Sequence, residues 1–382
     1  MIETLAELPA AGPTRLGRLE ALALAILRPL LVVAVSLLIG FVIIMVTGGG
    51  SLGDRLSLAL QAYENLLIEP FRGTDSLEQI GFEAIPLALT GLAAAIAFRA
   101  NIFNIGEEGQ LQIGALFAAA AALSFARLPP VLLVPVVVLA GALGGAAWAS
   151  IAGWLRAYWG ATELVSTIML NYVAIDIGTY MISTGAPLSP ANGNGTSTAT
   201  ITSAAWFPTI GNSQFHWGFV VPLAAAALVF VVLYLTPLGY EIRMVGANAP
   251  FAHYGGVAVR RVIITAMALS GALAGIGGAV QVMGFAHAYN TTFPLPQWGF
   301  TGVTVALLAR LEPIGVIVAA LLYALLEEGG QLMEDNTSVD HSIIGVIQGL
   351  LILFVTVQVT VRWWRRRGAV PLVARSDSMK ST

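Results

Sequence analysis

Apolar residues run along this chain in long blocks, separated by clusters of Gly, Pro, Asn and Asp more often than by charge. A helix crossing a bilayer core needs about 20 apolar residues. The blocks predict spans over 27–46, 81–98, 109–126, 131–153, 163–183, 217–236, 261–284, 297–309, 313–329 and 341–361. The eighth is short, and polar residues interrupt the boundary between the second and third. The first run is longer than a signal-peptide core and lacks a cleavage site, so it is expected to remain as an anchor. The expected fold is an all-α polytopic membrane protein of about ten transmembrane helices. Its expected parts are an N-terminal segment at 1–26, a membrane domain at 27–361 and a basic tail at 362–382.

Composition agrees with this pattern and narrows the chemistry. The 382 residues are 57% hydrophobic and 10% charged, against about 45–50% and about 25% in ordinary soluble domains. The chain has no cysteine, which removes thiol nucleophiles, Cys-based zinc sites and iron–sulfur ligation. A net charge of −3 without a basic stripe gives no footing for nucleic acid. Position matters more than number. With the N-terminus inside, only Arg55, Arg72 and Arg127 of the 18 basic residues fall on the outer side. That asymmetry predicts cytoplasmic N- and C-termini.

Two links resemble one another, Ala126-Arg127-Leu128-Pro129-Pro130 and Ala309-Arg310-Leu311-Glu312-Pro313. In the topology above they lie on opposite sides, as in the inverted repeats of transporters. Arg and Pro also simply end apolar helices, and five residues leave both readings open.

Three segments concentrate polar residues. Phe98–Ile113 carries Asn101, Asn104, Glu107, Glu108 and Gln110, interleaved with Gly106 and Gly109. Irregular polar backbone at membrane depth is tolerated only where protein or water surrounds it. A half-helix beginning here would aim backbone N–H groups at a polar solute; the competing reading is an inner loop in water. Glu163–Ile177 places Glu163, Thr167 and Asn171 on one helix face and adds Asp176. An ionisable residue inside the membrane costs at least about 2.5 kcal/mol unless paired or hydrated, so these are candidates for the solute path. Helix–helix hydrogen bonding is the alternative.

Thr236–Val257 is the longest inner loop. Asn248 suits an N-cap and Pro250 a first turn. Phe251 and Tyr254 then share one side, and Gly255-Gly256 stops the helix. A capped short helix offering two aromatics is a protein-docking device. The spacings Gly141/Gly145 and Gly271/Gly275 read as close helix packing.

The only lysine is Lys380, with no Gly-rich loop before it, so no P-loop can be built. The four histidines show no metal-ligand spacing, and no nucleophile elbow or zinc-protease motif is present. An intramembrane enzyme is disfavoured accordingly.

FNIGEEGQLQIGA from Phe103, ELVSTIMLNYVA from Glu163 and TPLGYEIRMVGANAPFAHYGG from Thr236 resemble permease subunits of bacterial ABC importers. The nearest group is the nucleoside-type branch of the ribose and branched-chain amino acid permease family, matched from about Ile80 to Val361. The resemblance implies an inverted-repeat permease in a bacterial inner membrane, with a second, identical or homologous permease subunit. It also implies cytoplasmic ABC ATPase subunits that bind the ATP, an extracytoplasmic solute-binding protein, and no cofactor in this chain. Asn104, Glu107, Gln110 and Asn171 fall in segments facing the family's translocation path. Gly239, Gly246, Asn248 and Ala249 fall in its ATPase-coupling loop, where Glu241, Arg243, Phe251 and Tyr254 join them. The expected function is a permease for a nucleoside or related sugar-like solute, driven by separate ATPases and not itself an enzyme. The alternative is an ion-coupled secondary transporter using Asp176 and Glu163.

Overall fold

The computed structural model describes residues 15–190, 195–210, 214–290, 297–340, 342–351 and 353–354. The expected basic tail at 362–382 lies outside the described residues, as do residues 1–14 of the expected N-terminal segment. Contacts divide the chain into two units, 1–55 with 342–382, and 56–341. In the first, α1 runs over Arg15–Thr47, so helix already occupies the later part of the segment expected to precede the first span.

The second unit contains every segment singled out above. Its helices are α3 (Thr74–Arg99), α4 (Glu107–Ser124), α5 (Pro130–Trp154), α6 (Glu163–Ile182), α7 (Val220–Leu235), α8 (Pro237–Ala247), α9 (Ala249–Tyr254), α10 (Val259–Gln281), α11 (Trp298–Leu308) and α12 (Pro313–Asn336). The boundary between the units falls within α2 (Leu52–Leu67). It is amphipathic rather than uniformly apolar, with Ala59, Ala62 and Leu66 buried, and so forms no apolar block in the sequence. No strand occurs among the described residues.

Among the described residues, six helices are long and apolar enough to cross a membrane: Thr74–Arg99, Pro130–Trp159, Glu163–Ile182, Trp217–Leu235, Val259–Ala286 and Pro313–Asn336. The second and fifth include terminal π-helical turns. Shorter apolar helices cover Leu31–Thr47, Trp298–Leu308 and Ser342–Leu351. Each expected span thus contains a helix, but they are not ten equal spans. The 11 residues of α11 reach only about 16 Å, half the hydrocarbon thickness.

Nearly every residue of α3 from Phe82 to Ala97 is buried, making it the central post. On one side of it α4, α5 and α10 pack together through small residues. A Cβ on Gly145 would strike the Gly271 carbonyl, and one on Gly275 would strike Gly141 O. These are the spacings read from the sequence, now facing each other. A Cβ on Gly114 of α4 would also meet the Gly275 backbone. Without a water-to-oil driving force between helices, such close van der Waals approach is what holds membrane helices together.

Backbone strain is concentrated in a few places. The non-glycine residues with left-handed φ are Asn101 (58°), His287 (49°), Gln297 (51°), Arg310 (55°) and Leu311 (62°) among the described residues. Each costs about 1–3 kcal/mol relative to relaxed backbone. All five lie in the connections adjoining α4 and α11.

Candidate functional site

At the end of α3, Asn101 N–H donates to Phe98 O and Ile102 N–H to Ala97 O, both at 3.0 Å. This is a helix-ending turn with Asn101 in the left-handed position, which asparagine tolerates better than most residues. Asn101 is exposed and serves the turn. The chain then climbs without regular structure until α4 begins at Glu107.

Neutral amides hold that climb in place. Asn104 Oδ1 accepts from Gly106 N–H (2.9 Å) and Gln110 Nε2 (3.1 Å), while its Nδ2 donates to Ser270 Oγ on α10 (3.0 Å). Asn171 on α6 donates to Ile105 O and accepts from Gly109 N–H, both at 2.8 Å. Thr167 Oγ1 accepts from Ile105 N–H at 3.3 Å. Gly109 has no side chain because a Cβ would stand 2.9 Å from Asn171 Cα. Asn104, Gln110, Thr167 and Asn171 are all buried, and the structure brings them together as a lock between α4, α6 and α10. They satisfy backbone groups that a break in a membrane helix exposes.

The two carboxylates of α4 differ. Glu108 Oε2 accepts from Gly299 N–H in the first turn of α11 (2.8 Å), and its Oε1 from Gln112 Nε2 (3.0 Å). Gln112 Oε1 accepts in turn from the Tyr289 hydroxyl at 3.2 Å. Glu107 is fully buried, and neither of its carboxylate oxygens has a partner from another residue. A Cβ on Gly299 would collide with Glu108 N, so the N-termini of α4 and α11 abut. The contacts of Trp298 with α3 fix their level. Thr90 Oγ1 donates to Trp298 O (3.0 Å), and Trp298 Nε1 donates to Glu83 Oε2 (2.8 Å). Thr90 lies roughly 13 Å along α3 from Arg99. Two half-helices therefore meet head to head inside the bundle, and α11 runs back toward the Arg99 end.

Two candidates on α6 stand apart from this lock. Glu163 pairs with Arg156 Nε at 3.2 Å, at the helix end. Asp176 is exposed, on the face shared by Met169, Tyr172 and Tyr180, turned away from Asn171.

The segment after α7 folds as its sequence indicates. Thr236 Oγ1 caps α8 by accepting from Gly239 N–H (3.2 Å), and Asn248 Oδ1 caps α9 by accepting from Phe251 N–H (3.0 Å). Gly256 closes the stop at φ 86°. Phe251 is 63% exposed and Tyr254 90% exposed, although both are large aromatics. Gly239 and Gly246 sit where a Cβ would strike Val232 O and Arg99 O, so both have a packing role. Glu241 and Ala249 are partly covered. Arg243 lies over the Tyr234 ring, 5.4 Å from its centroid.

Sequence reading missed Ser270, Gln112, Tyr289 and Glu83. Gln112 had a signal, being one helical turn from Glu108 in the same polar segment. The others approach from distant parts of the chain.

With this geometry in view, likeness to known proteins is informative. Residues 76–356 match the family described as branched-chain amino acid transport system, permease component. A glucose ABC transporter permease protein of Haloferax volcanii is 33% identical over 77% of this chain and 80% of its own length. A nucleoside ABC transporter permease protein of Lactococcus lactis is 32% identical, over 87% and 91%. A guanosine ABC transporter permease protein of Bacillus subtilis is 30% identical, over 88% and 95%. The chain belongs to this permease family. It is a multi-pass membrane protein, the permease subunit of an ATP-binding cassette importer.

Proposed function

We propose that the chain forms half of a translocation path for a nucleoside or a related sugar-like solute, in a bacterial inner membrane with both termini in the cytoplasm. The relatives' named solutes, glucose, nucleosides and guanosine, support this class. All offer hydroxyls and, for nucleosides, base edges, which need hydrogen bonds more than a counter-charge. The positive-inside distribution supports the orientation. Half-helices meeting head to head, each followed by an Ala-Arg-Leu-x-Pro link and a long helix, support an inverted repeat.

The observation that carries the path is the exposed Asp176, about two-thirds of the way along a membrane-spanning helix. Lipid would penalise a carboxylate there by at least about 2.5 kcal/mol. Water in a path, enclosed by a second permease subunit, would not. On this reading Met169, Tyr172 and Asp176 meet the solute, with Glu163 at the mouth. Asn104, Gln110, Thr167 and Asn171 shape the wall, while Glu107 and Glu108 hold the half-helix junction. The α8–α9 segment docks a cytoplasmic ATPase, and a solute-binding protein delivers the solute from the other side.

Proteoliposomes containing this chain with its ATPase and binding-protein partners would be given labelled nucleosides and sugars. ATP-dependent nucleoside uptake that falls at least about tenfold in Tyr172→Ala and Asp176→Asn is expected. Gradient-driven uptake by the chain alone would overturn the reading in favour of a secondary transporter.

A further inference from the structure

Two opposite stripes run the length of α6. Thr167, Asn171, Ala174, Gly178 and Ile182 are buried. Val165, Met169, Tyr172, Asp176 and Tyr180 are exposed, the two tyrosines to 63% and 68%. Both sets advance by steps of three and four residues, so each is continuous along one face. The exposed stripe changes character on the way. Val165 and Met169 make its first part apolar. Tyr172, Asp176 and Tyr180 follow at intervals of about 6 Å, with Thr179 exposed beside them. Asp176 stands six residues before the helix ends at Ile182, a depth of about 9 Å. In the orientation proposed above, that end is the outer one.

No described residue hydrogen-bonds or pairs with the Asp176 carboxylate. Among the described residues, no group of His, Asp and Glu gathers around it as a metal site would require. An ionised carboxylate only accepts, through two oxygens side by side. Its natural complement is a pair of donors on neighbouring atoms. Two adjacent ring hydroxyls are such a pair, and ribose and hexoses both carry them. In dinucleotide-binding folds an acidic residue takes a ribose hydroxyl in the same manner. Tyrosine rings add flat faces on which a nucleobase or the C–H side of a sugar can lie.

We propose that Tyr172, Asp176 and Tyr180 form a receiving subsite for a vicinal diol in the outer half of the path. Asp176 accepts from both hydroxyls, and the two tyrosines flank the ring that bears them. Val165 and Met169 offer the solute no further hydrogen bonds, so it is held here before it crosses the apolar stretch. This inference rests on the solute path proposed above and deepens it. It names the group that is recognised and makes the hydroxyl at the 2′ position of a nucleoside, or the 2 position of a hexose, the discriminating feature.

The chain contains no cysteine, so a single reporter can be read on it without background. Thr179→Cys is placed in the permease assembled with its second permease and ATPase partners in nanodiscs. The solute-binding protein is left out, because its own selectivity would mask that of the subsite. Maleimide labelling of position 179 is measured against rising concentrations of adenosine, 2′-deoxyadenosine, glucose and 2-deoxyglucose. Adenosine and glucose are expected to protect the cysteine, and each deoxy analogue to need at least about tenfold more for half protection. Asp176→Ala is expected to erase that difference, and Asp176→Glu to keep part of it. Tyr180→Ala is expected to weaken adenosine and 2′-deoxyadenosine equally, as loss of a stacking face would. Equal protection by the hydroxylated and deoxy members of both pairs overturns diol recognition. No protection by any of the four overturns the subsite. A cysteine at 179 that fails to label without solute shows this face covered by lipid or another subunit, and overturns it too. If the glucose pair behaves as expected and neither nucleoside protects, the nucleoside reading falls and the diol subsite stands.

Discussion

Two stretches of the chain share an order of parts, a short helix, an Ala-Arg-Leu-x-Pro link and a long helix, and are held differently. One copy is α4, the link Ala126–Pro130 and α5; the other is α11, the link Ala309–Pro313 and α12. In the first copy, uncharged groups fix the entry to the half-helix: Asn104, Gln110, Asn171, Thr167 and Ser270. Its link is exposed, and neither Arg127 nor Leu128 has a left-handed φ. In the second, the same Arg-Leu pair is left-handed and partly covered, braced by the Arg99 guanidinium, which donates to Leu311 O (3.3 Å) and pairs with Glu312. Amide bonds to backbone are short-ranged and insensitive to distant charge, whereas a partly exposed ion pair is weak and adjustable. The contrast is between an entry fixed by neutral amides and an exit braced by charge.

The sharpest test of that contrast is Asn171→Ala. It leaves Gly109 N–H and Ile105 O buried without their partner, at a cost on the order of 3 kcal/mol. A marked fall in thermal unfolding temperature in detergent is expected; an unchanged midpoint would remove the lock. Gly275→Ala comes next, because the new methyl meets Gly141 O in the packed face of α5 and α10. Overpacking of this kind costs about 1–3 kcal/mol, read in the same melt.

Asn248→Ala removes the cap of α9, worth about 1 kcal/mol. Faster amide hydrogen exchange confined to 249–254 is expected. Phe251→Ala with Tyr254→Ala should leave the melt unchanged yet abolish ATPase co-purification, and retained co-purification would refute docking at α9. Glu312→Gln should change stability by no more than about 1 kcal/mol, since the pair is partly exposed. Uptake in the assembled transporter is nevertheless expected to fall, and unchanged uptake would leave this pair without a part in transport. Arg127→Ala, the corresponding change in the relaxed link, is expected to stay within about 0.5 kcal/mol and to leave uptake intact.

Several of these features were legible in the chain itself because they depend on local periodicity and capping. The apolar blocks located the helices, the Asn-Ala-Pro-Phe run produced α9 with its cap, and the two glycine pairs found one another. The half-helix start at Glu107 was legible as polar residues between apolar runs. What Asn104 and Asn171 bind was not legible, since an amide suits a solute and a carbonyl equally well. Nor was α2, whose polar face hides it from a search for unbroken apolarity.

By itself the sequence determined that the chain lives in a membrane, that its one lysine follows no Gly-rich loop, and which segments between apolar runs are polar. Composition and spacing carry that information because lipid tolerates few charges and no unpaired backbone. Tertiary structure decided which polar groups face protein and which remain exposed. It joined Glu108 to Gly299 across 191 positions and turned Asp176 away from Asn171. It also put strain into one Arg-Leu pair and not its twin. Those outcomes depend on which distant backbone lies within 3 Å, and no local pattern of residues encodes that.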